Sequence, residues 1–208
     1  MNYLAASEYV AFGLEEATDV SWVAAASAVI EAHCRRPTLG VNQYVERIRV
    51  AEDRYTVRLT YLPLAIVSPA TTPLVAARGR YIAPRRFEGL QGDLLADVAA
   101  VFALPGTFVN LSVAAIDFFA DSGELALPVN VLGLGFGELE VTYTAGLAAI
   151  PNAVKVACAQ VVKNAQATPA LNVSKERLDR MYLEYFSDTL VDQVVRSLLA
   201  PYVAQKVG

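Results

Sequence analysis

The sequence predicts an α+β protein: a helical core holding an inserted antiparallel β-rich module. Three observations carry this. Residues 138–144 alternate, with Leu139, Val141 and Tyr143 on one face and Glu138, Glu140, Thr142 and Thr144 on the other, the pattern of a half-buried strand. Gly146 then offers a positive-φ corner and Pro151 a first helical residue, and Val154, Ala157, Cys158, Val161 and Ala165 follow at helical spacing. A second alternating stretch lies upstream, between residues 41 and 61. The predicted division is a helical core from residues 1–40 and 148–208, with a β-hairpin and β-rich insertion over 41–147.

Taken in order, residues 1–17 are acidic and alanine-rich and are expected to pack loosely, with one amphipathic turn at Tyr9–Leu14. Thr18 or Asp19 caps a helix that runs to Cys34. One of its stripes holds Val23, Ala26, Ile30 and Cys34, the other Trp22, Ala25, Val29 and Ala32, so burial on both sides is expected, with Trp22 as a core anchor. Arg35-Arg36-Pro37 ends the helix, where cations suit the dipole.

Residues 41–50 and 54–61 read as a hairpin across Ala51-Glu52-Asp53. In its second strand Tyr55, Val57, Leu59 and Tyr61 face in, while Arg54, Thr56, Arg58 and Thr60 face out. Arg47 and Arg49 decorate the first strand, either as a solvated edge or as a contact for an acidic partner. Pro63, Pro69 and Pro73 mark an irregular crossing before a strand at residues 76–82. Residues 94–104 suit a short helix, 107–119 a strand pair, and Asp121-Ser122-Gly123 a turn. Near the end, Ser174 caps a predicted helix through Leu178, Met181, Tyr182, Tyr185 and Phe186. Ser187 or Asp188 opens another through Val191, Val194, Val195, Leu198 and Leu199, which Pro201 stops.

Composition points to a chain that is incomplete alone. Of 208 residues, 55% are hydrophobic and 18% charged, and mean hydropathy is +0.38, more apolar than a free-standing domain usually is. The longest apolar run is stopped by Pro105-Gly106, far short of the ~20 residues a membrane span needs. The N-terminus lacks the basic flank and apolar core of a signal peptide, so an intracellular subunit covered by partners is expected. Charge is segregated although the net value is only −4. Residues 1–34 hold five acids and no Lys or Arg, residues 35–86 hold ten arginines against three acids, and residues 87–154 hold eight acids and no base. Such blocks either neutralise each other within a subunit or make the two complementary patches that a head-to-tail ring requires.

Little here suggests catalysis. His33 is the only histidine, and no nucleophile motif accompanies any serine. A ligand set of His33, Cys34 and Cys158 would be strained, because adjacent helical residues diverge. Glu15-Glu16 reads as solvated, and Glu138 with Glu140 reads as a solvent face more readily than as an acid pair. Gly133, Gly135 and Gly137 miss the dinucleotide-loop spacing and precede a strand, not a helix. Arg78, Arg80, Arg85 and Arg86 form a basic cluster suited to a phosphate or to the acidic block of a neighbour, though without a nucleic-acid-binding motif. No cofactor or metal is predicted, and the reading is of a non-enzyme.

The run Val-Thr-Tyr-Thr-Ala-Gly at 141–146, followed by Ile-Pro-Asn-Ala-Val-Lys at 150–155 and an Ala/Val helix, resembles the head–tail connector proteins of tailed bacteriophages, also called adaptor or head-completion proteins, and their counterparts in gene transfer agents. The resemblance covers residues 138–165 best. It implies a structural virion protein of the neck, made in the bacterial host cytoplasm, whose copies form a ring (usually a dodecamer) beneath the portal. DNA would pass through the ring without specific contact, and the partners would be the portal and the stopper or tail proteins. Residues 87–137 look like an insertion relative to compact members. The resemblance also implies portal docking by the C-terminal segment, with Leu198, Leu199, Tyr202 and Val203 as candidates, while Arg78, Arg80, Arg85 and Arg86 become subunit-interface or DNA-channel candidates. Two alternatives stay open: another neck component such as a stopper or tail terminator, and a small-molecule-binding or hydrolytic α+β protein with its site in the insertion.

Overall fold

Asp19 opens the first helix, α1 (Val20–Cys34), its carboxylate accepting the Ser21 N–H at 2.7 Å. The structure, a computed structural model, describes residues 1–51, 55–81, 101, 106–128, 135–167, 175–178, 181–184 and 190–205. It combines helices with antiparallel sheets, an α+β class. Contacts divide the chain into two units, one of Met1–Gly40 with Ala148–Ala204 and the other of Val41–Leu147.

In the helical unit, α1 buries Val23, Ala26, Ser27, Ile30 and Cys34. Its second apolar stripe is not buried, contrary to the expectation from sequence: Trp22, Ala25 and Ala32 are exposed and Val29 is half-buried. Trp22 is therefore not a core anchor. Apolar periodicity marks a face that can be buried, and among the described residues only one such face of α1 is buried. The helix ends in a Schellman motif, with the Arg35 N–H donating to Ala32 O and the Arg36 N–H to Glu31 O, both at 3.2 Å. Arg35 takes the left-handed conformation (φ 55°) that glycine occupies without strain. Arg35→Gly is expected to raise stability by about 0.5–1 kcal/mol in urea titration; an unchanged or lower midpoint would refute the strain argument.

Helix α2 (Asn152–Ala167) follows Gly146, whose φ is 131°, and the Pro151 carbonyl accepts the first helical N–H groups, from Val154 and Lys155. It buries Val154, Ala157, Cys158, Ala159, Val161 and Val162, a wider arc than one stripe because α1 lies on one side and α3 (Gln193–Leu199) on the other. Alanines at these contacts let the backbones come close. Asp192 caps α3 by accepting the Val195 N–H at 2.8 Å, and Asn164 of α2 donates to Leu190 O and Asp192 Oδ2 at 3.2 Å. That cap starts the helix later than expected and leaves Val191 outside it. A 3₁₀ turn at Ala200–Tyr202, with Pro201 inside it, closes the helical run.

The N-terminal segment is packed firmly rather than loosely, a correction to the sequence reading. Tyr3, Leu4, Tyr9 and Leu14 are all buried. Tyr3 explains the anchoring: its N–H donates to Ser27 Oγ, its hydroxyl donates to Glu31 Oε1 at 2.8 Å and accepts the Leu39 N–H at 2.9 Å. Glu8 meets Lys155 of α2 in an ion pair.

The segment 175–184 is also corrected. Strands β8 (Lys175–Leu178) and β9 (Met181–Glu184) pair antiparallel, with Lys175 opposite Glu184, where a helix was expected. A window this short fits both periods, and tyrosine favours a strand. Ser174, Tyr185, Phe186, Ser187 and Asp188 lie outside the described residues.

The β unit holds β1 (Asn42–Arg49), β2 (Thr56–Arg58), β3 (Leu74–Tyr81), β4 (Val109–Leu111), β5 (Asp117–Phe119), β6 (Glu124–Ala126) and β7 (Phe136–Ala145). They form two antiparallel sheets, β1-β7-β3-β4 and β2-β6-β5. The predicted hairpin of residues 41–61 does not form: β1 pairs with β7 and β2 with β6. Likewise β4 and β5 exist within 107–119 but pair with β3 and β6 rather than with each other. One core lies between the inner faces, with Leu139, Val141 and Tyr143 of β7 joined by Val57, Leu59 and Leu125. The proline-marked crossing straps the end of β7: Thr144 N–H and Oγ1 both donate to Pro73 O, and the Ala65 N–H donates to Thr144 O. The helix expected at 94–104 lies outside the described residues, except for an isolated helical position at Val101.

Candidate functional site

The alternation of β7 sets out a charged surface on one side of its sheet. Leu139, Val141 and Tyr143 turn inward, which leaves Glu138, Glu140 and Thr142 on the outer face. Register then sets three cross-strand rows: Arg49–Glu138–Arg80, Arg47–Glu140–Arg78 and Val45–Thr142–Ala76, read from β1 across β7 to β3. Two central carboxylates thus lie between four arginines. Arg47 reaches diagonally to Glu138 at 2.6 Å, Arg78 bonds Glu140 at 2.7 Å, and Arg80 stands 3.7 Å from Glu138. The Phe108 ring lies near both Arg47 and Arg78, 5.0 and 5.3 Å from their guanidinium carbons. The hydrogen bond from Arg47 holds the Glu138 carboxyl below its usual range against a smaller effect of burial.

This arrangement answers several sequence expectations. Arg78 and Arg80 are placed together, each against a glutamate of its own chain, so the basic and acidic blocks neutralise each other here in part. Four arginines against two glutamates still leave this face basic. Arg85 and Arg86 lie outside the described residues. Glu138 and Glu140 do not form an acid pair free for proton transfer, since each is occupied by an arginine. Nothing in the sequence signalled Phe108, because it precedes β4 while Arg47 lies on β1, with β7 and β3 between them in the sheet.

A second surface is the outer side of α1. Trp22 is 42% exposed, and Ala25, Val29 and Ala32 continue its line along the helix. Glu15, Glu16 and Asp19 are exposed at its approach. Of the C-terminal candidates, Leu199 is fully buried, so it belongs to the helical core and offers no docking surface, a correction to the sequence reading. Leu198, Tyr202 and Val203 are half-buried, and the Ala204 N–H donates to Cys34 O at 2.9 Å, tying the tail to the end of α1.

The reactive side chains are enclosed. Cys34 and Cys158 are free and buried, and burial pushes the Cys34 thiol up to about 11 and the Cys158 thiol upward as well, which disfavours the thiolate. Ser27 Oγ lies 3.9 Å from Cys158 Sγ and donates to Val23 O, as a helical serine does. His33 is half-buried in the last turn of α1. Among the described residues no group of three or more His, Cys, Asp or Glu could hold a metal ion, and no helix is long and apolar enough to cross a membrane.

Comparison with protein-family models and with curated proteins found no match to this chain.

The ionisable groups predict how stability follows pH. Hydrogen bonds lower the carboxyls of Glu8 (from Lys155), Asp19 (from the Ser21 N–H), Glu138 (from Arg47) and Asp192 (from the Val195 N–H). A carboxyl lowered in the fold contributes stability above its unfolded value, and that contribution is lost as pH falls through the folded one. Stability should therefore decline below about pH 4. The raised thiol of Cys34 has the opposite sign: its contribution is complete below its ordinary value of 9.0 and is lost as pH climbs to about 11. Urea midpoints measured from pH 3 to 11 should fall at both ends, and Cys34→Ala should flatten the alkaline decline.

Proposed function

We propose that this chain is a structural subunit of a head–tail connector ring, the adaptor that joins a capsid portal to a tail and lets DNA pass. Its role is mechanical, not catalytic, and its chemistry is surface complementarity. The observation that carries the reading is the unit formed by β7, the Gly146 corner and α2, which contains the residues resembling connector proteins and links the β unit to the helical unit. Apolar side chains left in solvent, including Trp22, Val45 and Phe119, support an assembled state, because burying them in partners is favourable. The ion-paired arginine face suits contact with protein or transient, non-specific contact with a passing duplex, which must not be gripped. Leu198, Tyr202 and Val203 remain the candidate portal contacts.

Negative-stain imaging of the purified protein, alone and with a phage portal protein, tests this. A ring seated on the portal is expected. A solitary monomer with no affinity for portal would overturn the reading, and rings that bind tail components but not portal would favour a stopper or tail terminator.

A further inference from the structure

We infer that the exposed side of α1, with Trp22 at its head, is the docking surface for a second copy of this chain, which presents the arginine-bearing face of its β unit. The inference deepens the connector reading and rests on it only for closure into a ring; the pairwise contact stands on the two surfaces themselves.

The first surface is apolar with an acidic approach. Trp22, Ala25, Val29 and Ala32 follow one another along the outer side of α1, while the opposite side fills the core of the helical unit. Small alanines beside one large indole make a shallow surface with a single prominent anchor, and tryptophan and arginine are the residues most enriched at the energetic centres of interfaces. Residues 1–34 contain no Lys or Arg to oppose their five acids. Glu8 and Glu31 are engaged by Lys155 and Tyr3 and Asp19 caps α1, whereas Glu15 and Glu16 are exposed in the segment that leads into the helix. The partner called for is therefore basic and partly apolar.

The second surface has that composition. Its rows place Arg47, Arg49, Arg78 and Arg80 around two glutamates, next to a row containing Val45, 64% exposed, and Ala76. Arg47 and Arg78 keep about half of their side-chain surface in solvent although each bonds a glutamate, so their outward faces can still meet an indole or a carboxylate. The glutamates hold the guanidinium groups in place, which reduces the entropy lost on docking. They also weigh against a polyphosphate occupant, because Glu138 and Glu140 would face its charge. Since the two surfaces differ, the contact is heterologous, and repeated head-to-tail contacts generate a ring when the rotation closes.

Trp22 is the only tryptophan, so its fluorescence reads the contact directly. Full-length protein is concentrated at low and high salt and followed by fluorescence and sedimentation velocity. The expected result is a blue shift that grows with concentration together with a rising sedimentation coefficient, both reduced in 0.5 M salt. Trp22→Ser, which leaves the buried side of α1 intact, should weaken association about thirtyfold. The double variant Glu15→Arg with Glu16→Arg, and separately Arg49→Glu, should each associate poorly with itself, whereas the two mixed should assemble, and the double variant should still accept wild type on its intact arginine face. Wild type that stays monomeric at all concentrations, a blue shift independent of concentration (as an intrachain contact would give), or association indifferent to these variants would each overturn the inference. Rings formed on portal by the Trp22→Ser and charge-reversed proteins would sink this docking surface while leaving the connector function standing. Wild type that self-associates through these residues yet ignores portal would do the reverse.

Discussion

Replacing Tyr143 by alanine is expected to destabilise the β unit by about 3–5 kcal/mol, the range for deleting a large buried aromatic side chain. Its side chain has no exposed surface and lies in the core between the two sheets, near Tyr44, which in turn stacks on Tyr61 at 4.1 Å. The hydroxyl adds a polar tie that the ring alone would not provide. It donates to Glu46 Oε2 at 3.0 Å and accepts the Tyr61 N–H at 3.2 Å, while Glu46 also accepts the Thr60 N–H at 3.0 Å. One hydroxyl thus connects β7, β1 and the segment after β2. Burial, reinforced by the Glu46 carboxylate, pushes the phenol well above its ordinary range, so it remains a donor in alkaline solution. Tyr143→Phe separates the two contributions: it keeps the ring, strands the Tyr61 N–H, and should cost about 1–3 kcal/mol. Far-UV circular dichroism in urea is the suitable measurement, because Trp22 fluorescence reports the helical unit. Equal midpoints for Tyr143→Phe and wild type would show that the hydroxyl network contributes nothing.

Gly79→Ala carries the second large effect, and its sign is the informative part. In an ordinary strand, alanine for glycine gains about 0.4–1 kcal/mol because the unfolded chain loses freedom. Here an added Cβ would stand 2.5 Å from Phe136 Cδ1, 2.9 Å from Cε1 and 3.1 Å from Cγ. The ring has little room to retreat: it is buried and stacked against Tyr81 at 4.7 Å. Overpacking of this kind costs about 1–3 kcal/mol, which outweighs the backbone gain, and valine should cost more. The clash is specific to one ring, so Gly79→Ala with Phe136→Leu should be less destabilised than the sum of the two single changes, by about 1 kcal/mol in a double-mutant cycle. A stabilised Gly79→Ala protein, or strict additivity, would count against the observed packing.

Both sites matter to the candidate interaction surface, since the arginine rows exist only while β1, β7 and β3 hold register. A one-residue slip would turn Glu138 and Glu140 inward and Leu139 and Val141 outward. Stability of the inner face and presentation of the outer face are therefore one property, and loss of Tyr143 should impair assembly along with folding.

What the sequence by itself determined was local. The Asp19 cap and the apolar repeat announced α1, strict alternation announced β7, and the Gly146 corner with Pro151 announced the start of α2, because each rests on residues within a turn or two. What only the tertiary structure decided was which faces and strands meet. β1 joins β7 across roughly ninety residues of chain and β2 joins β6, so the expected hairpin vanished although both of its strands exist. Two apolar stripes on α1 looked equivalent, yet the core took one and left Trp22 outside. Arg47 meets Glu138 and Phe108 because sheet order places them together, and no spacing along the chain encodes that encounter. The physical reason is that period and capping depend on bonds between near neighbours, whereas pairing and burial are settled by competition among all apolar surfaces for one interior.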